Sequence, residues 1–82
     1  ELGKNMSPIE IKRLLIKKLP NCEIKVDGNG SHFDIGVIGE VFAGLKPVQR
    51  QQLIYEALNT YISDGSIHAV NIKTYTPDEP QW

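Results

Sequence analysis

The middle of the chain contains two short segments of alternating polarity, separated by glycine-containing turn dipeptides. The first, "CEIKVD" (residues 22–27), has apolar side chains at every second position, and the second, "HFDIGVIG" (residues 32–39), repeats this alternation. A period of two is typical of β-strands that bury one face. Between them stand an Asp-Gly and an Asn-Gly dipeptide, which favour tight turns. The pattern therefore predicts an antiparallel hairpin whose loop carries Asn29 and Ser31.

A helix is predicted to precede the hairpin. Ser7 fits the N-cap, Pro8 fits the first helical position, and Glu10 completes a capping box three residues after the cap. The helix is expected to stop at Pro20, because proline cannot continue it. At helical spacing, one stripe should face the core and the basic side chains should face solvent. The stripe consists of Ile11, Leu14, Leu15 and Lys18, and the basic residues are Lys12, Arg13 and Lys17.

The second half of the chain predicts a longer helix followed by a third strand. The helix is expected to run from Pro47 to about Asp64 and to be closed by Gly65, and the strand to run from Ile67 to Thr76. A strand-helix-strand crossover normally returns the chain in parallel, so the third strand should pair in parallel with the second. The expected fold class is α+β, with the order α-β-β-α-β, a three-stranded mixed sheet and the helices on one face.

Length, charge and cysteine content limit the function classes. The 82 residues allow one small domain, expected to span residues 6–79, with residues 1–5 a cloning remnant or disordered end and residues 80–82 a tail. The net charge of −1 argues against broad electrostatic binding to nucleic acid or anionic membranes. A single cysteine cannot form an internal disulfide, and no apolar run approaches the ~18 residues of a membrane span. A reducing, cytoplasmic location is expected, without membrane association.

Three side chains are candidates for metal or nucleophile chemistry. His68 is expected within the third strand, on the face of Val70 and Ile72, either as a half-buried structural histidine or as a metal ligand. His32 is either an exposed hairpin histidine or a ligand. Cys22 is expected to be a small buried hydrophobe rather than a reactive thiolate. The paired spacings of a structural zinc site are absent, so any missing ligands would come from a second molecule.

The sequence also lacks a serine or cysteine nucleophile in a recognisable motif. We therefore expect a protein that is not an enzyme and has no small-molecule substrate.

The sequence resembles the BolA family, close to its IbaG branch. The resemblance is carried by "VDGNGSHFDI", "GEVFAGLKPVQRQQLIYEAL" and "YISDGSIHAVNIKTYTPDE", and it covers Met6 to about Glu79. It implies a BolA-like fold akin to a type II KH arrangement, which agrees with the α-β-β-α-β order expected above. The family usually has a tryptophan directly after its "TPxE" stretch, followed by a helix. Here "TPDEPQW" places two residues before Trp82, which leaves open whether a C-terminal helix exists.

The resemblance implies a partner and a cofactor. BolA proteins pair with monothiol glutaredoxins of the CGFS type and share a 2Fe-2S cluster, in iron-sulfur trafficking or iron regulation. Glutaredoxin and glutathione thiolates bind one iron and BolA side chains the other, so no cluster is expected in the isolated protein. The family's C-terminal histidine ligand matches His68. Its second ligand, a cysteine or histidine of the hairpin loop, matches Asn29, and His32 is the nearest imidazole that could substitute.

The resemblance also implies an alternative, because BolA proteins are described as DNA-binding transcriptional regulators. Their long helix and its preceding turn have been likened to a helix-turn-helix. In this chain Lys46, Arg50 and Lys73 would have to make the contacts. With a net charge of −1, only weak DNA binding is expected.

Overall fold

The computed structural model describes residues 6–30 and 32–80. Its strands form one sheet in the order β1-β2-β3, with β1 antiparallel to β2 and β2 parallel to β3. The predicted α-β-β-α-β order and mixed sheet are confirmed. The elements are α1 (Pro8–Lys18), β1 (Glu23–Asn29), β2 (His32–Ile38), a 3-10 turn (Glu40–Phe42), α2 (Pro47–Ser63) and β3 (Ala69–Tyr75).

Both helices begin as the sequence predicts. The Ser7 N–H donates to Glu10 Oε1 at 2.8 Å, and the Glu10 N–H donates to Ser7 Oγ at 3.2 Å, which is a reciprocal capping box. At α2 the Lys46 N–H donates to Gln49 Oε1 at 2.9 Å. Pro47 then occupies the first turn, where a missing N–H leaves no helical hydrogen bond unmade.

The core lies between the two helices and one face of the sheet. Phe33, Ile35 and Val37 point into it, as their alternation predicts. The connection between β2 and α2 contributes Phe42, which is fully buried. The largest fully buried side chains are Phe42, Ile11, Leu15, Ile35, Ile54, Leu58, Ile67 and Val37.

Two strand boundaries differ from prediction by two residues, and others differ by one. β1 continues through the Asp-Gly dipeptide to Asn29, so Asn29 belongs to the strand backbone rather than to the loop. Gly30, with φ of +60°, makes the turn, and Ser31 lies outside the described residues. β3 begins at Ala69 rather than at Ile67. In β1, strand pairing extends further than the turn dipeptides suggest. Before β3, Ile67 and His68 belong to the connection that follows α2 rather than to the strand.

The structure tests little of what the sequence predicts for the two ends of the chain. Residues 1–5 and 81–82, which include Trp82, lie outside the described residues. After β3, the described residues 76–80 form a turn and no helix. Neither α1 nor α2 is long and apolar enough to cross a membrane.

Candidate functional site

The two histidines lie at the same end of the sheet, His32 at the start of β2 and His68 directly before β3. His32 is the first residue of β2, and its partner in the parallel pairing is Ala69, the first residue of β3. His68 directly precedes Ala69. Both histidines are exposed. The fold therefore brings the backbones of the two predicted candidate ligands to the same end of the sheet.

The environment predicted for His68 is wrong. It was expected inside β3, half-buried on the face of Val70 and Ile72, but it precedes the strand and is exposed. The reason is that the preceding residue, Ile67, is drawn into the core at the end of α2. Its side chain is buried, and its N–H donates to Tyr61 O at 3.0 Å.

A short turn after α2 fixes the backbone next to His68. Asp64 Oδ1 accepts the Ser66 N–H at 2.9 Å, which is an Asx turn. Gly65 has φ of +85°, the left-handed conformation that commonly ends a helix. A Cβ built on Gly65 would lie 4.0 Å from His68 Nε2, so the imidazole lies beside this turn. The exposed side chain of His68 is thus attached to an ordered segment.

His32 is held by strand pairing on both sides. Its backbone pairs with Asn29 of β1 and with Ala69 of β3. Because its neighbour Phe33 points into the core, His32 faces the opposite, open side of the sheet. The side chain of Asn29, which matches the family's second ligand position, lies outside the described part of the structure. The identity of the second ligand therefore stays a prediction.

Cys22 lies at the other end of the sheet from the two histidines. It directly precedes β1, whose first residue Glu23 pairs with Ile38 at the other end of β2. A seven-residue strand separates the two ends by roughly 20 Å. Cys22 is half-buried, a Cβ on Gly39 would collide with its Sγ, and burial raises the pKa of its thiol. These features fit the predicted packing role.

The two histidines at this end of the sheet can add ligands to a metal centre but cannot enclose one. Within residues 6–30 and 32–80, no three His, Cys, Asp or Glu side chains are grouped so that they could hold a metal ion. The two imidazoles are exposed, and neutral imidazole nitrogen is a common metal donor. This donor set fits a cluster that a second molecule brings with its own thiolates.

The three basic residues of the DNA-binding alternative do not form one surface. Lys73 pairs with Gly36 and lies on the open face of the sheet, in a shallow groove of about 200 Å³. Lys46 is exposed at the start of α2, on the helical side. Arg50 is largely buried and is committed to an internal ion pair.

That ion pair attaches the segment after β3 to α2. Arg50 Nη1 and Nη2 lie 2.8 and 3.2 Å from the two oxygens of Glu79, and Arg50 Nε donates to Leu45 O at 3.1 Å. The guanidinium also lies 6.0 Å from the centroid of the Phe42 ring. Glu79 Oε1 accepts the Thr76 N–H at 2.8 Å. The hydrogen bond from Arg50 and that from the Thr76 backbone lower the pKa of Glu79 to about 2.

The chain is similar to known BolA proteins in sequence. The family model described as BolA-like protein matches residues 17–79. Over 70 residues the chain is 47% identical to the acid stress protein IbaG of Escherichia coli strain K12, covering 85% of this chain and 83% of that protein. It is 32% identical to a BolA-like protein of Dictyostelium discoideum, covering 89% and 71% of the two chains.

Solved structures agree with this similarity. A BolA homologue from Coxiella burnetii has a TM-score of 0.77 at 32% identity, covering 89% of this chain and 94% of that one. The BolA domain of SufE1 from Arabidopsis thaliana has a TM-score of 0.79 at 27% identity, with the same coverage of both chains. Sequence, strand order and three-dimensional similarity agree, and the chain belongs to the BolA-like family.

Proposed function

We propose that this protein is a non-enzymatic partner of a monothiol CGFS glutaredoxin, with which it binds a 2Fe-2S cluster for iron-sulfur trafficking or iron regulation. His68 is the ligand that the protein contributes, and His32 is the candidate for the second. The observation that carries the proposal is the position of His68. It is exposed at the same end of the sheet as His32, in a chain of the family whose C-terminal histidine it matches.

The described residues suit a shared cluster better than a resident one. The turn at Asp64–Ser66 holds the backbone beside His68, so its imidazole can meet an incoming iron without reordering of the chain. Strand pairing limits His32 to rotation of its side chain. The thiolates would come from glutaredoxin and glutathione, since the only cysteine lies at the opposite end of the sheet.

Imidazole ligation would give the shared cluster two recognisable properties. A coordinating nitrogen must be deprotonated, and free imidazole takes up a proton near pH 6.5, so mild acid should weaken the complex. Imidazole is also a neutral donor, and its replacement of thiolate raises the reduction potential, as in Rieske centres. The name of the E. coli relative, an acid stress protein, supports a search for such acid sensitivity.

Reconstitution with glutaredoxin tests the proposal. The protein is mixed with a CGFS glutaredoxin, ferrous iron, sulfide and glutathione, and the products are separated by size. We expect a heterodimer whose visible absorption and circular dichroism differ from those of the glutaredoxin homodimer. A glutaredoxin whose active-site cysteine is replaced by serine is the control and should give no cluster. Absence of co-elution, together with a spectrum identical to that of the homodimer, would contradict the proposal.

A further inference from the structure

Helix α1 exposes large apolar side chains on the side that faces away from the core. Ile11 and Leu15 are fully buried against the sheet and α2. On the opposite side, Ile9 is 64% exposed and Ile16 is 45% exposed. Ile9, Arg13 and Ile16 are spaced by four and three residues and so lie along one stripe of the helix. α1 is therefore apolar on its inner face and also, in part, on its outer one.

Unpaired positive charges surround this apolar stripe. Lys12 lies on one side of it and Lys17 on the other, and both are exposed, as is Arg13. Among the described residues, none of these three cations has a hydrogen bond or an ion pair. We call Ile9, Lys12, Arg13, Ile16 and Lys17 the outer face of α1.

Among the described residues, no carboxylate forms an ion pair with these three cations. Glu10, the acidic residue of α1, is at the border of the outer face and accepts the Ser7 N–H in the capping box. Glu56 of the neighbouring helix α2 lies 3.2 Å from Lys18 Nζ. The outer face thus combines two exposed isoleucines with three cations that have no charge partner within the described chain.

We propose that the outer face of α1 docks an acidic amphipathic segment of a partner protein. Carboxylates of that segment would pair with Lys12, Arg13 and Lys17, and one of its apolar side chains would pack between Ile9 and Ile16. Both components are needed: the charges orient and attract the partner, and contact with the isoleucines removes apolar surface from water. This surface is distinct from the end of the sheet that carries His32 and His68, and the inference goes beyond the proposed cluster binding.

Two other anionic partners fit the surface less well. Duplex DNA would offer phosphates to the cations but would leave the two isoleucines against a polar backbone. A lipid surface binds helices through a broad apolar face inserted in the interface, whereas the inner face of α1 is already committed to the core. A protein segment can present carboxylates and an apolar side chain at matching spacing.

Peptide binding tests the proposal. The probe is a fluorescently labelled helical peptide with glutamate and leucine at helical spacing, and its control has glutamine at each glutamate position. Anisotropy at low salt should show binding of the acidic peptide that weakens with salt, and about tenfold weaker binding of the glutamine peptide. Equal binding of both peptides would contradict the charge component.

Variants locate the binding surface. Arg13→Glu should weaken binding about tenfold or more, whereas Lys73→Glu, the same charge change on the open sheet face, should have little effect. Ile9→Ser should weaken binding, whereas Val48→Ser, at a 63% exposed valine of α2, should not. If the two variants of either pair lose the same affinity for the peptide, the assignment to this face is wrong. Displacement of the peptide by duplex DNA or anionic vesicles at lower concentration than by unlabelled peptide would also overturn the proposal. Binding should survive His68→Ala, which separates this proposal from the cluster proposal.

Discussion

At the scale of single residues, the residues just before His68 set the course of the backbone that carries it. Gly65 adopts a left-handed conformation, Asp64 closes the turn with its carboxylate, and buried Ile67 anchors the chain before His68. The imidazole itself remains at the surface. His68 is therefore exposed at a position where its neighbours hold the backbone.

Substitution of Gly65 tests the turn. Gly65→Ala should lower the free energy of unfolding by about 1–2 kcal/mol, because an L side chain is disfavoured at its φ of +85°. Gly65→Asn should lower it less, since asparagine tolerates the left-handed conformation. Urea denaturation of the two variants measures the difference. A Gly65→Ala protein as stable as the parent would show that this conformation does not hold the turn.

At the scale of elements, the segment after β3 is bound to the start of α2 by a side-chain network rather than by secondary structure. Arg50 binds both oxygens of Glu79, and Glu79 also accepts the Thr76 N–H. Thr76 is buried, and its hydroxyl donates to Asp78 Oδ1 at 2.7 Å. The network holds residues 76–79 against the start of α2, and it pairs the Arg50 guanidinium with Glu79.

Acid should release this segment. The pKa of Glu79 falls from its ordinary value of 4.5 to about 2 in the folded protein, so the fold favours the charged carboxylate. The stabilisation is therefore complete above about pH 4.5 and is lost as the pH falls toward 2. The Thr76 amide shift in NMR should titrate with a midpoint near pH 2, which is the pKa of Glu79 in the folded protein, and Glu79→Gln should remove the transition.

The matched control for that titration is Glu56→Gln, which removes the exposed partner of Lys18. It should leave the Thr76 titration unchanged, because exposed ion pairs contribute little and this one lies elsewhere on the fold. A Thr76 titration centred near pH 4.5 would mean that Arg50 and the Thr76 backbone do not stabilise the Glu79 carboxylate.

At the scale of the whole molecule, the fold was predictable because its signals are local and repeated. Alternation placed Phe33, Ile35 and Val37 on the buried face, and the capping box placed the start of α1. Long-range features were not predictable: Arg50 was interpreted as a phosphate contact, yet its partner Glu79 lies 29 residues away in sequence. An Asp-Gly-Ser sequence after a helix could have indicated the turn before His68.

The exposure of the isoleucines on the outer face of α1 was also not predicted. Ile9 and Ile16 are seven residues apart, a helical spacing visible in the sequence. The same spacing also fits a buried stripe, so the sequence alone does not show that these side chains are exposed. Exposure of both became apparent only when the inner face was fixed by Ile11 and Leu15.

The distribution of charge over the molecule predicts weak binding to duplex DNA. Lys46 and Lys73 lie on different sides of the fold, and Arg50 is paired with Glu79. Binding should weaken steeply with salt, with a log-log slope of about −0.9 for each neutralised phosphate. Titration of labelled duplexes at several salt concentrations measures this slope. A sequence-selective complex that persists at physiological salt and is lost in Lys46→Glu would favour the DNA-binding alternative.

The central claim is that His68 provides the protein's ligand to a cluster shared with glutaredoxin. The most direct measurement is the visible circular dichroism of the reconstituted heterodimer, recorded from neutral to mildly acidic pH for the parent, His68→Ala and His32→Ala. We expect His68→Ala to lose the heterodimer spectrum and its acid sensitivity while keeping its unfolding midpoint, because the side chain is exposed. His32→Ala should lose the spectrum only if His32 is the second ligand. A His68→Ala protein with the parent's spectrum and pH profile would show that His68 does not bind the cluster.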